Sequence, residues 1–195
     1  MEIELINTGS ELLLGRVLNT HQQWLGKTLS DAGYILTRQE TVPDTAEAIC
    51  EAVQIALGRA DLVITTGGLG PTSDDITRER IAGMLAKPLQ HDEAIAEHIT
   101  SFFAHRARPM PDSVLAQAQI PEGAVVFTNE HGTAPGLAMD VSGADDEGSP
   151  TWLVMLPGPP RELCPMVEAQ VLPFIQRELP LAAAFHCRTL RSMGI

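Results

Sequence analysis

A glycine-rich turn between a buried strand and a helix constrains this chain more than any other feature. The stretch runs Thr65-Thr66-Gly67-Gly68-Leu69-Gly70-Pro71-Thr72-Ser73-Asp74-Asp75-Ile76-Thr77-Arg78. Leu62-Val63-Ile64 before it is an apolar run of strand type, and Ile81 and Leu85 after it share one helical face. Strand, glycine turn and helix start together make an anion-binding arrangement. Glycine lets a ligand approach the main chain, and the N–H groups opening a helix point at phosphate. The turn is neither G-x-G-x-x-G nor a P-loop, because no Lys follows the glycines. What sets it apart is Asp74-Asp75 followed by Thr77. Carboxylates beside a phosphate cradle repel its ligand unless a cation sits between them. The stretch therefore predicts phosphate together with a divalent metal, with Asp as an oxygen ligand. The local alternative is a plain strand–turn–helix corner with Asp74 or Asp75 as its N-cap.

The rest of the chain supplies a frame for that turn. Ile3–Thr8 reads as a first strand, running into Gly9-Ser10-Glu11. Thr20 and Gln23 have capping-box spacing for a helix with Trp24, Leu25 and Leu29 inside and Gly33 at its stop. Tyr34–Val42 reads as a second strand, and Asp44 as the cap of a helix carrying Ile49, Val53 and Leu57. Asp61–Thr66 is the third strand. Strands spaced by such helices predict a mostly parallel sheet with right-handed crossovers, its ligands beyond the carboxyl strand ends. Glu11, Asp44 and Asp75 each follow a strand, so all three are expected to meet at that edge.

Farther along, Asp92 is placed to cap a helix bearing Ile95, Ile99, Phe102 and Phe103, followed by a short helix over 114–118 and a strand at 124–127. Gly136–Val141 and Thr151–Leu156 are expected to form a hairpin around a polar, acidic loop, 142–150. Its second strand ends in Leu156-Pro157-Gly158-Pro159-Pro160-Arg161-Glu162, expected as a second wall of the pocket. Residues 1–180 are expected as one domain. A further strand over 184–190 is expected to begin a following domain within 181–195.

Charge and composition exclude several partners. Thirteen Lys and Arg against 25 Asp and Glu give a net charge of −12, which argues against nucleic acid but leaves room for a small phosphorylated ligand. No apolar run approaches the roughly 20 residues of a membrane span. The N-terminus lacks a signal-peptide pattern. Cys50, Cys164 and Cys187 are far apart and read as reduced thiols of a cytoplasmic protein. His91, His98 and His105 recur every seven residues and read as a solvated stripe along one helix.

Thr8-Gly9-Ser10-Glu11-Leu12-Leu13-Leu14-Gly15, Asn19-Thr20, Pro43-Asp44, Thr66–Pro71 with Asp75 and Thr77, and Leu156–Glu162 together resemble, in order, the N-terminal domain of the CinA-type competence/damage-inducible proteins. That domain is similar in turn to the MoaB- and Mog-like molybdopterin-binding domains. Molybdopterin-binding relatives usually carry Thr after the paired glycines, and Leu69 here favours the CinA branch. The resemblance implies a three-layer α/β/α sandwich of molybdopterin-binding type. It implies that Gly67, Gly68, Gly70, Asp75 and Thr77 sit at the ligand site, with Asp44 and Glu11 nearby; Thr66, Pro157, Gly158 and Arg161 are further candidate ligand or phosphate contacts.

For CinA-like proteins the resemblance further implies divalent-metal-dependent hydrolysis of ADP-ribose to AMP and ribose 5-phosphate. The metal is Mg, Mn or Co, held by Asp44 and Asp75, and Glu11 is the candidate base. Alternatives are a non-catalytic nucleotide- or pterin-binding module and a step in molybdenum-cofactor biosynthesis. A homodimer or homotrimer, and a C-terminal amidase domain in longer members, are implied by analogy.

Overall fold

Strand β1 (Ile3–Thr8) is buried along its whole length, as befits the centre of a parallel sheet covered on both faces. The computed structural model of the protein describes residues 1–142 and 150–181. β1 pairs in parallel with β2 (Arg38–Val42) on one side and β3 (Leu62–Thr66) on the other. β3 in turn pairs in parallel with β8 (Trp152–Leu156). β7 (Gly136–Asp140) and β6 (Val125–Phe127) extend the sheet antiparallel, in the order β2-β1-β3-β8-β7-β6. The expected hairpin is therefore β7–β8. The interior of its loop, 143–149, and the expected strand over 184–190 lie outside the described residues.

Side chains alternating along each strand divide between two cores. Ile3, Leu5, Leu62, Ile64, Trp152, Val154 and Leu156 face α2 (His21–Asp31), α6 (Pro160–Met166) and α7 (Leu172–Glu178), meeting Leu25, Leu29, Leu163 and Phe174. Ile6, Val63, Leu153 and Met155 face the opposite layer, α3 (Ala46–Leu57) and α4 (Thr77–Met84), through Ile49, Val53 and Ile81. This is the three-layer α/β/α sandwich. A small satellite lies beside it. There β4 (Leu89–His91) pairs antiparallel with β5 (Gln119–Pro121), and α5 (Glu93–His105) packs Ile95 and Ile99 on the 3-10 helix Asp112–Ala118.

Four local expectations give way. Asp44 does not cap α3; Thr45 does, accepting from the Ala48 N–H, because Asp44 is engaged by Ser10. Thr20 precedes α2 in a helical backbone conformation without a side-chain cap bond, and Asn19 accepts from the Gln22 N–H instead. The second strand begins at Arg38 rather than Tyr34, whose ring is drawn into the core and whose hydroxyl donates to the Leu179 carbonyl. The histidine stripe does not form on one helix either: His91 lies in β4, and His98 is half-buried with Nε2 2.8 Å from the Asn129 carbonyl. Asp92 does cap α5, accepting from Ile95 at 3.0 Å.

Candidate functional site

The carboxyl ends of β1, β2, β3 and β8 open into one cavity of about 610 Å³. Its floor is the glycine turn. Gly67 (φ 99°) and Gly68 (φ 66°) hold left-handed backbone that a side chain would strain. A Cβ on Gly67 would come within 2.7 Å of the Thr8 carbonyl, one on Gly68 would overlap the Thr77 hydroxyl, and one on Gly70 would overlap the Asp75 carboxylate. Backbone therefore faces the cavity because side chains cannot. The turn is tied down on both flanks: Gly67 N–H donates to the Leu156 carbonyl at 3.0 Å, and the buried Gln117 amide donates to the Leu69 carbonyl at 3.0 Å.

Two carboxylates are set by their own turns. Asp44 Oδ2 accepts from Ser10 N–H at 2.8 Å while Asp44 N–H donates to Ser10 Oγ at 3.2 Å, clipping the ends of β1 and β2 together. Asp75 Oδ2 accepts from both the backbone and hydroxyl of Thr72, at 3.0 and 2.6 Å. Asp75 thus holds the loop rather than capping α4, whose N-cap is Ile76. Both aspartates keep Oδ1 without a hydrogen bond among the described residues. Glu11, Asp44, Asp74, Asp75 and Glu162 all line the cavity, and among the described residues no Lys or Arg does.

Of the expected contacts, Thr66, Gly67, Gly68, Gly70, Pro157 and Gly158 join Glu11, Asp44 and Asp75 in the lining. Gly158 backs directly on Gly67, where an added Cβ would lie 3.5 Å from the Gly67 Cα. Two expected contacts are elsewhere. Thr77 is fully buried behind Gly68; its N–H donates to the Gly68 carbonyl, and its hydroxyl has no hydrogen-bond partner among the described residues. Arg161 points away into a neighbouring hollow because its helical neighbour Glu162 takes the inward position.

Sequence reasoning missed His21. It opens α2, lines the cavity, and its Nδ1 lies 3.3 Å from Thr66 Oγ1. A chain of bonds leads up to it. The Gln22 N–H can only donate, so the Asn19 oxygen faces it and the Asn19 amide donates to Asn7 Oδ1 at 2.8 Å. Asn7 then donates to Thr66 Oγ1 at 2.7 Å, the hydroxyl that faces His21 Nδ1. Burial pushes the His21 pKa down, with the Gly158 backbone partly opposing, so the ring is neutral near pH 7. The only sequence signal was its position at a helix start beside Asn19-Thr20.

A mostly parallel three-layer sheet with a glycine cradle and carboxylates at its carboxyl edge defines the molybdopterin-binding class of α/β domain. The family described as "Probable molybdopterin binding domain" matches residues 4–177, and the chain belongs to its CinA-like, competence-damage inducible branch. It is 45% identical over all 195 residues to a CinA-like protein of Akkermansia muciniphila, and spans 45% of that relative's length. The solved CinA protein of Thermoplasma acidophilum superposes with a TM-score of 0.77 at 32% identity, over 89% of this chain and 98% of that one. The molybdopterin biosynthesis enzyme MoaB of Thermus thermophilus shares the fold, with a TM-score of 0.57 at 20% identity over 90% of this chain and 92% of that one.

Proposed function

We propose that the cavity binds a nucleoside diphosphate sugar of the ADP-ribose type and hydrolyses its diphosphate with the help of a divalent metal. One observation carries the reading: a backbone cradle suited to phosphate sits in a cavity lined, among the described residues, by five carboxylates and no Lys or Arg. An anion enters such a site only with a cation beside it.

The donor set fits a hard ion. Asp44 and Asp75 would hold it through their unengaged oxygens. Among the described residues no group of three or more His, Cys, Asp or Glu is placed to bind a metal, so most ligands would come from water and phosphate, as Mg²⁺ prefers. When bound, the ion supplies charge neutralisation at the phosphates. The chain's own residues do the rest. The backbone N–H groups of Gly68, Leu69 and Gly70 orient phosphate oxygens, while that of Gly67 stays on the Leu156 carbonyl. Glu11, on the short helix α1 (Ser10–Leu13), is the candidate to take a proton from the attacking water. His21 stands in the lining as a neutral imidazole.

The family description supports a second reading, a pterin-binding module without turnover. Incubation with ADP-ribose and separate Mg, Mn and Co salts, with products resolved by chromatography, tests both. AMP and ribose 5-phosphate should appear only with metal. Saturable binding without products would replace the hydrolase reading with the module.

A further inference from the structure

Beside the main cavity lies a second hollow, of about 410 Å³, lined by Phe102, Arg106, Arg108, His131 and Arg161. Three of the thirteen Lys and Arg of a chain with net charge −12 converge there. Arg106 and Arg108 come from the end of α5 and Arg161 from the first turn of α6, and the loop between β6 and β7 adds His131.

The turn after α5 is shaped to deliver two of them. Ala107 takes left-handed backbone (φ 49°), an uncommon conformation for a residue with a Cβ. The N–H groups of Ala107 and Arg108 close the turn onto the Ala104 and Phe103 carbonyls. This brings both Arg106 and Arg108 to the one hollow. The Arg106 guanidinium lies 3.5 Å over the Phe102 ring and donates through Nη1 to the Phe102 carbonyl at 3.3 Å. That stacking holds one planar fork in place.

Attraction of cations to the carboxyl end of a helix accounts for Arg106. It does not account for His131 and Arg161, which belong to other elements. Carboxylates neutralise only one member of the group. Arg161 reaches Glu162 at 3.5 Å, whereas Arg106 and Arg108 have no carboxylate in ion-pairing range among the described residues. Like charges gathered this way repel until an anion enters, and guanidinium forks match phosphate oxygens in pairs.

We propose that this hollow is a second ligand site that binds a phosphate group directly through Arg106, Arg108 and Arg161, without a metal. The proposal does not rest on the hydrolase reading. The two cavities share a wall. Thr133 and Glu162 line the main one, while His131 and Arg161 line the hollow. The phosphate is therefore either a free anion or a phosphomonoester on the ligand of the main cavity.

The test is an NMR titration of the protein with inorganic phosphate at low ionic strength, with chelator present. Saturable shifts are expected at the backbone amides of residues 106–108, 131 and 161. R106Q/R108Q should weaken the apparent affinity at least about tenfold, given two lost charge-assisted contacts. R161Q, on a different element, should weaken it severalfold, which keeps the result readable if the double variant disturbs the α5 turn. K27Q/R80Q makes the same charge change elsewhere and should leave the affinity within about twofold, since exposed charges that far off are screened.

A second arm titrates AMP with Mg²⁺ in place of the chelator, so that a nucleotide can enter the main cavity. Shifts in hollow and main cavity at one shared midpoint assign the phosphate to a bound nucleotide. Shifts in the hollow from inorganic phosphate alone assign a free anion. Absence of localised, saturable shifts with either probe, or an equal loss in K27Q/R80Q, overturns the proposal.

Discussion

The main cavity and the basic hollow share a wall yet solve opposite electrostatic problems. In the main cavity the donors are backbone N–H groups, fixed by glycines, and among the described residues every charged side chain in the lining is a carboxylate. In the hollow the donors are guanidinium side chains, and no described carboxylate lines it. The first site is rigid but needs a cation before it can accept phosphate. The second accepts an anion directly but rests on exposed side chains that salt can screen. The difference teaches that an overall charge of −12 says nothing about which anion a particular patch will hold.

The sharpest way to separate the two is Asp75→Asn. The amide keeps a carbonyl oxygen for the Thr72 donors, so folding should be nearly unchanged. Metal-dependent hydrolysis should fall at least about 100-fold, because a neutral oxygen is a poorer ligand for a hard cation. Phosphate binding in the hollow should not move. Assays of AMP release at saturating metal decide it; a rate equal to the parent's removes Asp75 from the metal site.

Gly68→Ala attacks the rigidity of the main cavity. The new methyl would require left-handed backbone and would overlap Thr77. Together these should cost about 2 to 3 kcal/mol, read as a lower urea midpoint. Gly123 is the control. It also has positive φ (76°), but nothing lies within 4 Å of an added Cβ, so Gly123→Ala should cost only about 1 kcal/mol. Equal losses would show that backbone strain alone, rather than packing against Thr77, shapes the turn.

The smallest effect is expected at His21. Its folded pKa lies below its ordinary value because burial penalises the charged ring. Between that lowered pKa and about 6.5, the unfolded chain binds more protons than the folded one. Stability should therefore be fully present above about pH 6.5 and decline as pH falls toward the folded pKa. His21→Gln should flatten that decline. Urea midpoints measured between pH 5 and 7.5 would expose it, and an unchanged slope in the variant would assign the decline to other groups.

Much of this was legible beforehand, for identifiable reasons. β1, β3 and β8 are buried on both faces, so their residues read as apolar runs. The convergence of Glu11, Asp44 and Asp75 followed from parallel topology alone, since each follows a strand. Partnerships across distance were not legible. Asp44 and Thr45 are adjacent cap candidates, and only the pairing with Ser10 decides between them. Arg161 and Glu162 are adjacent too, and only the rotation of α6 decides which faces the cavity. His21 acquires its role through Thr66 and Asn7, and the hollow exists only once three separate segments meet.

The adjacency of β3 and β8 has a temporal consequence. Thr66 and Leu156 lie side by side in register, but the chain visits α4, the satellite and β6–β7 between them. During synthesis the glycine turn emerges well before the strand that anchors it, and such non-local pairing is slow to form. The cradle is therefore among the last parts to assemble, and a ligand has nothing to grip until β8 docks. Ligand added to refolding protein should leave the folding rate unchanged and instead retard unfolding, lengthening the life of the finished state rather than guiding the route to it.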